Sequence, residues 1–289
     1  MLFRRLKSSL SHQLLAYWLT ISLIPLVCSS LVFYHFAKES LIERSFEQLT
    51  SIRETKKKQL ADFFEFQTNL VQVLSQSPAI LQAFTQYDTT YDRGVDTELY
   101  AQVNAKHHPY LAKIKETYGL YDLFLVNLDG DIIYTVVHEP DFATNLVDGP
   151  YSDQNIAEAF QKGKNGATIV DFDHYAPSQG QAASFVASPI KTGSKLQGVL
   201  IAQIPLNKID AITQERSGMG ESGEVYIVGK DYLMRSDSRF SEKSTVLKLR
   251  VETEGTQQAL MGQTGTKIIA DYRADSVLSS FTPMNIGSL

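Results

Sequence analysis

The sequence predicts an α+β protein: a membrane-crossing helix, a long amphipathic helix, and then two consecutive units built on antiparallel sheets. Three observations carry this expectation. Residues 14–36 form an apolar run without Asp, Glu, Lys or Arg. Between 37 and 86 there is no glycine, and apolar residues recur at helical spacing. After that, short β-rich runs alternate with turn residues and brief helical stretches, and the pattern restarts after Gly218.

Leu14 to Phe36 amounts to 23 residues. As a helix they span about 34 Å at ~1.5 Å per residue, enough to cross a bilayer. Tyr17 and Trp18 stand near one end and Phe33, Tyr34 and Phe36 near the other, where interfacial aromatics belong. Arg4, Arg5 and Lys7 precede the run, so residues 1–13 are expected in the cytoplasm and residues 37–289 outside it. The run is too long for a cleaved signal peptide, and Tyr34-His35-Phe36 is a poor place to cut, so it reads as a retained anchor. Pro25 is expected to kink the span, which membrane helices tolerate. Cys28 is the one cysteine and lies in the apolar run, so disulfides contribute nothing.

Past the membrane, Ile42, Phe46, Leu49, Ile52, Leu60, Phe63, Leu70, Leu74, Leu81 and Phe84 mark one face of a helix over 37–86. Arg53 to Lys58 interrupts the stripe and reads as a solvated segment, with lipid headgroups as the lesser reading. Ser77-Pro78 is a place for the helix to break or restart. Two parallel copies would bury the stripe, so a homodimer through this helix is expected.

A second helical stretch runs from about Asp96 to Tyr118. Leu123 to Asn127 and Ile132 to Val137 flank Asp129-Gly130, the strongest short hairpin signal in the chain. A short helix over 156–162 follows, then strands near 167–172, 183–188 and 198–204. A helix over 207–216 has Asn207 as its expected N-cap. In the second unit a hairpin is expected from Val225–Val228, Gly229–Asp231 and Leu233–Ser236, with further strands at 266–272 and 276–283.

The run Tyr121 to Tyr134, then Glu139-Pro140-Asp141-Phe142, Tyr175-Ala176-Pro177-Ser178, Gln214 to Glu224 and Leu233 to Phe240, resembles double Cache, tandem PAS-like, extracytoplasmic sensor domains. The resemblance covers nearly everything after the membrane run. It implies a long N-terminal helix (37–86), a membrane-distal module (87–216) that binds a small extracellular ligand, and a membrane-proximal module (217–289) that relays the signal. It further implies a bacterial inner-membrane receptor whose output is a chemotaxis domain, a histidine kinase or a cyclase. None of those outputs is visible here. The proximal module stops where its closing strand is expected, so the chain reads as a fragment or a truncated product of a larger receptor.

The amino-acid-binding pattern of that family, an Arg-x-Trp-Tyr ahead of a Tyr-x-Asp and a further strand aspartate, is not matched. Gly149-Pro150-Tyr151, Tyr175-Ala176-Pro177 and Gln203 stand there instead. A buried amine needs a carboxylate partner, so an α-amino acid is not the expected ligand. Aromatic walls with a few polar groups suit a small-molecule pocket, and the candidates are Tyr121, Tyr134, Tyr151, Asp171, Asp173, Tyr175 and Gln203. Taken one at a time, each reads first as a core or surface residue; as a set, some are expected to line the pocket.

The net charge of −5 gives no electrostatic support to a nucleic-acid partner. Gly218-x-Gly220-x-x-Gly223 matches a dinucleotide-binding string, but it lies between a helix and a strand in the wrong order, so it reads as a junction. His138-Glu139-Pro140-Asp141 and Asp171-Phe172-Asp173-His174 contain metal-ligating side chains without metal-site spacing, so neither a metal nor a cofactor is expected. No catalytic motif is present. The alternatives to a sensor are a membrane-anchored extracytoplasmic enzyme and an interaction module without a ligand.

Overall fold

The computed structural model describes residues 10–284 and 286, and the chain divides into two units at 50/51. The basic residues Arg4, Arg5 and Lys7, which set the expected orientation, lie outside the described residues. Helix α1 (Leu10–Ser75) contributes to both units. In the first unit, every residue from 14 to 36 is exposed, an apolar surface with nothing covering it. Among the described residues this is the one helix long and apolar enough to cross a membrane. Its few hydroxyls are returned to the backbone: Thr20 Oγ1 donates to the Ala16 carbonyl (3.0 Å) and Ser22 Oγ to that of Trp18 (2.9 Å). A hydroxyl so paired can sit in an apolar setting. Pro25 is accommodated within the helix.

In the second unit α1 buries Leu60, Phe64, Val71 and Leu74. Phe63 and Leu70, expected on the inner stripe, flank it half-buried. The helix does not run on to 86. It stops at Ser75, and α2 (Pro78–Tyr91) starts anew with Ser77 as N-cap, its Oγ accepting from Ile80 N at 3.3 Å, and proline at the first helical position. Helix α3 (Glu98–Tyr118) is capped by Thr97 and closed by Gly119 in the left-handed region, φ +66°.

Five strands follow: β1 (Asp122–Asn127), β2 (Ile132–Thr135), β3 (Thr168–Tyr175), β4 (Gln181–Thr192) and β5 (Lys195–Gln203). They form one antiparallel sheet in the order β2-β1-β5-β4-β3. The expected hairpin closes at Gly130, φ +98°. Alternate residues serve two cores. Leu123, Leu125, Val186, Leu200 and Ala202 face α1–α3. Phe124, Val126, Phe185, Ala187, Val199 and Ile201 face α4 (Asn155–Gly163), whose Ile156 and Phe160 pack on them. Helix α5 (Leu206–Thr213) leaves the sheet from Pro205, with no side-chain cap, so Asn207 is inside the helix rather than its cap.

The remaining part holds α6 (Glu254–Leu260) and a two-stranded sheet, β6 (Gly265–Ala270) with β7 (Ser276–Phe281). The hairpin expected over 225–236 is reduced to a single bridge, Val228 with Met234. Its ladder is diverted. Ser236 Oγ takes the Ile227 N–H (3.1 Å), and Met234 N turns to the Leu249 carbonyl (3.0 Å). The basic stretch of α1 is also not the solvated segment expected. Lys56 is 4% exposed and pairs with Glu215. Arg53 donates to Ser280 Oγ (2.9 Å) and to the carbonyls of Gly265 and Phe281 (both 3.3 Å).

Two glycines test the packing. A Cβ on Gly198 would sit 2.5 Å from Phe84 Cζ and from the Val126 carbonyl oxygen, whereas Gly166 has open space around it. Gly198→Ala is therefore expected to lower unfolding stability by about 1–3 kcal/mol through overpacking. Gly166→Ala is expected to change it by less than ~0.5 kcal/mol. Denaturant unfolding of the detergent-solubilised chain, followed by circular dichroism, measures both.

Candidate ligand site

The polar groups of the sheet gather on its α4 side, where β1, β5, the end of β3 and the loop 136–142 meet. β1 and β5 place Asp122 opposite Gln203. Asp122 is fully buried. Its Oδ1 accepts from the backbone N–H of Leu123 (2.6 Å), Val136 (3.0 Å) and Val137 (3.2 Å), and Oδ2 from the Thr135 hydroxyl. These bonds end β2 at Thr135 and fix the loop that carries Glu139 and Asp141. Burial pushes the Asp122 carboxyl up to about 7, against the pull of Thr135 and the backbone donors.

Glu139 takes the Tyr121 hydroxyl on Oε1 (2.9 Å) and the Ser178 hydroxyl on Oε2 (2.6 Å). Gln203 Nε2 reaches Ser178 Oγ at 3.4 Å. Asp141, also fully buried, accepts the Tyr175 hydroxyl on Oδ2. Burial raises the Asp141 carboxyl to about 6 and pushes the Tyr175 hydroxyl far above its ordinary value, the second aided by the adjoining carboxylate. Asn155, the first residue of α4, donates to the carbonyls of Asp171 (3.0 Å) and Ala183 (2.7 Å).

Acceptors outnumber donors here. Among the described residues, four buried side-chain oxygens have no hydrogen-bond partner, and three of them are Asp141 Oδ1, Asn155 Oδ1 and Gln203 Oε1 on this side of the sheet. None of Asp122, Glu139 and Asp141 forms an ion pair with a described Lys, Arg or His. Such an arrangement can receive N–H or O–H donors and positive charge.

Of the residues singled out in the sequence, Tyr121, Tyr175 and Gln203 meet in this network. Tyr151 packs half-buried against the apolar cluster under α4. The other three are elsewhere. Tyr134 is on the opposite face, its hydroxyl 3.0 Å from His108 Nδ1 and its ring 4.5 Å from that of Tyr87. Asp171 turns away to an ion pair with Arg235 (2.9 Å). Asp173 is exposed and accepts the N–H of His174. Asp122, Glu139, Asp141, Asn155 and Ser178 were missed. Glu139-Pro140-Asp141 carries part of the family resemblance and a weak metal pattern, and neither signal marks its carboxylates as ligand groups. Its histidine in fact faces away, the His138 ring lying 4.5 Å from Phe142 and 6.0 Å from Tyr134.

The glycine-rich string at 218–223 presents carbonyls rather than N–H groups. Arg239 Nη2 donates to the Glu221 carbonyl (2.8 Å), Nη1 to that of Gly223. In the same unit Glu224 accepts from the Tyr272 hydroxyl (2.7 Å) and from Arg239 N (3.1 Å), so this second polar group is internally satisfied.

The family described as Cache domain matches residues 35–288. No curated protein matches the chain in sequence. Among solved structures, the chain is similar to the ligand-binding domain of the Campylobacter jejuni chemoreceptor Tlp3 in complex with 4-methylisoleucine. The TM-score is 0.55, at 13% identity over 80% of this chain and 84% of that one. It is also similar to the extracellular domain assigned to a histidine kinase, mmHK1S-Z2, with TM-score 0.53 and 14% identity over 85% and 93% of the two chains. The sensor domain of the V. cholerae histidine kinase DctB gives a TM-score of 0.49 at 14% identity, over 68% and 67%. At these identities the likeness is one of fold.

The raised carboxyls have a consequence for stability. Between about pH 4, where an unfolded aspartate titrates, and pH 6–7, the folded state keeps protons on Asp141 and Asp122 that the unfolded chain has released. Stability from these groups is therefore full below about pH 4 and declines as pH rises through their folded values. Asp122→Asn removes one titration while keeping an acceptor for the backbone donors. Relative to the wild type, its thermal midpoint is expected to climb between pH 5 and pH 8. A constant difference would show that Asp122 stays ionised throughout.

Proposed function

The chain belongs to the Cache domain family, sensor domains of the kind found in chemoreceptors and histidine kinases, and from that premise we propose that residues 87–216 receive a small extracytoplasmic ligand on the α4 side of the sheet. The observation that carries this reading is the set of three unpartnered buried oxygens, on Asp141, Asn155 and Gln203. A buried acceptor left without a donor costs about 1–3 kcal/mol, which a ligand supplying the donor recovers on binding. A small molecule with N–H groups is the economical occupant.

The same site favours a protonated amine without a carboxylate over an α-amino acid. The family's two aspartate positions are lost, yet Asp122, Glu139 and Asp141 bring three carboxylates to the site by another route. What the described residues do not bring is a cation in contact with that network to hold a ligand's carboxylate. The Tlp3 structure holds 4-methylisoleucine, an amino acid, and the proposal marks a difference from it.

The segment is a sensor without catalytic chemistry of its own. In this reading 14–36 spans the cell membrane, with 37–289 extracytoplasmic and lipid its other contact. The proximal module, 217–289, relays the response, and α1 connects the sensing part to the membrane. A second copy pairs along α1, where Phe66 and Val73, seven residues apart, are exposed at 52% and 68%. Seven residues is two helical turns, so both lie on one face.

Two measurements test the reading. Thermal-shift titrations of the detergent-solubilised chain with putrescine, ethanolamine and agmatine are expected to raise the midpoint, more at pH 8 than at pH 5.5, because the raised Asp122 and Asp141 carboxyls must ionise to pair. Asp141→Asn is expected to weaken the shift about tenfold or more in ligand concentration. Equal or larger shifts with α-amino acids would refute the amine preference, and no shift with any small molecule would refute the ligand site. Separately, single cysteines placed along 42–74 in membranes are expected to cross-link with a period of three to four residues, with 66 and 73 among the strongest. Uniform or absent cross-linking would count against the dimer.

A further inference from the structure

The guanidinium of Arg235, whose side chain is 6% exposed, has all five N–H donors engaged, and its two carboxylate partners lie 60 positions apart in the chain. Nε and Nη2 donate to Asp171 Oδ1 (3.0 Å) and Oδ2 (2.9 Å). Nη1 and Nη2 donate to Asp231 Oδ1 (3.0 Å) and Oδ2 (3.1 Å), and Nη1 also to the Leu233 carbonyl (3.0 Å). Two bidentate pairs on one planar fork fix direction as well as distance, which an ammonium could not do.

The two carboxylates belong to different modules. Asp171 sits where β3 bulges against β4, and its backbone carbonyl accepts from Asn155 Nδ2 (3.0 Å). Asn155 opens α4 and carries one of the unpartnered oxygens of the candidate site. Asp231 belongs to the proximal turn that Gly229 closes, with Gly229 N on the Leu233 carbonyl (2.9 Å) and Arg235 N on that of Ile227 (2.8 Å). A Cβ on Gly229 would stand 2.7 Å from Arg235 Nη1, so the turn is built to let the guanidinium lie across it. Arg239, four residues on, makes no such link, because its donors go to carbonyls of its own module.

We propose that Arg235 is a positioning residue that couples the modules: a change at Asn155 moves Asp171, and the Arg235 fork hands that displacement to the 229–235 turn. The proposal rests on the distal module being the one that binds ligand. Its test uses no ligand, so its failure leaves the binding reading standing, and failure of the binding screen leaves this coupling measurable.

Hydrogen exchange in a double-mutant cycle on the full chain in detergent decides it. Asn155→Ala removes the bond to the Asp171 carbonyl. In the Arg235 background it is expected to speed exchange at the amides of Gly229 and Arg235 by roughly three- to tenfold. In the Arg235→Gln background the same substitution is expected to leave those amides within about 1.5-fold of the single variant. Equal acceleration in both backgrounds overturns the proposal, since the effect then travels by another path. Absence of acceleration beside Arg235 overturns it too. Should Arg235→Gln fail to fold, Arg235→Lys and Asp171→Asn serve as the uncoupled backgrounds. Lysine keeps the charge without the fork and is expected not to restore the coupling.

Discussion

A carboxylate taken out of water needs a cation, several N–H donors or a proton, and the distal sheet is organised around carboxylates that have only the last two. Asp122 collects three backbone N–H groups and a hydroxyl. In doing so it stops β2, turns the chain into the 136–142 loop, and aims Glu139 and Asp141 at the same side of the sheet. The donors available there are then used up by Glu139 and by one oxygen of Asp141. What remains is a surplus of acceptors on the α4 side, at Asp141 Oδ1, Asn155 Oδ1 and Gln203 Oε1. The opposite face has no comparable surplus: Tyr134 finds His108, and Tyr100 donates to the Ile133 carbonyl at 2.9 Å.

Much of the fold was legible because its signals are local. Asp129-Gly130 supplies a turn at a position that needs φ > 0, and Ser77-Pro78 ends one helix and caps the next. The part after Gly218 was less legible because the 233–236 segment divides its hydrogen bonds between two neighbours, one of them 15 or so residues onward. The basic stretch of α1 misled for a related reason. Four cations in six residues look solvated until Ser280, Glu215 and Thr282 are folded against Arg53, Lys56 and Lys57.

Of the seven residues named from the sequence, three meet in the candidate network, and two bulges account for the placing of Tyr134 and Asp171. Val126 pairs with Ile132, but Leu125 pairs with Tyr134, so Ile133 is an inserted residue. Without it, strict alternation would place Tyr134 beside Phe124 on the α4 side; with it, Tyr134 crosses to the helices. β3 has the same device between Val170 and Asp173, and it acts in the opposite sense, carrying Tyr175 to the α4 side and leaving Asp171 to turn towards Arg235. A period-two reading of an isolated strand has no access to either shift. Nor could it have joined Asp122, Glu139, Ser178 and Gln203, which come together only through strand pairing and a loop.

Helix α1 gives these features a common frame within the second unit. Near its end Ser75 shares a hydrogen bond with Ser188 of β4 (2.9 Å), Lys56 holds Glu215 at the junction after α5, and Arg53 grips the end of β7. A ligand can move this frame only by binding one arrangement of it better than another. The groups able to discriminate are those whose partners are incomplete, because a fully satisfied network has nothing to gain from a new contact. By that criterion the cluster around Glu224, whose acceptors are supplied, has little to gain from a new contact, and the unpartnered oxygens on the α4 side of the five-stranded sheet have the most. The Asp171–Arg235–Asp231 clamp and the Ser75–Ser188 contact tie that sheet to the 229–235 turn and to α1.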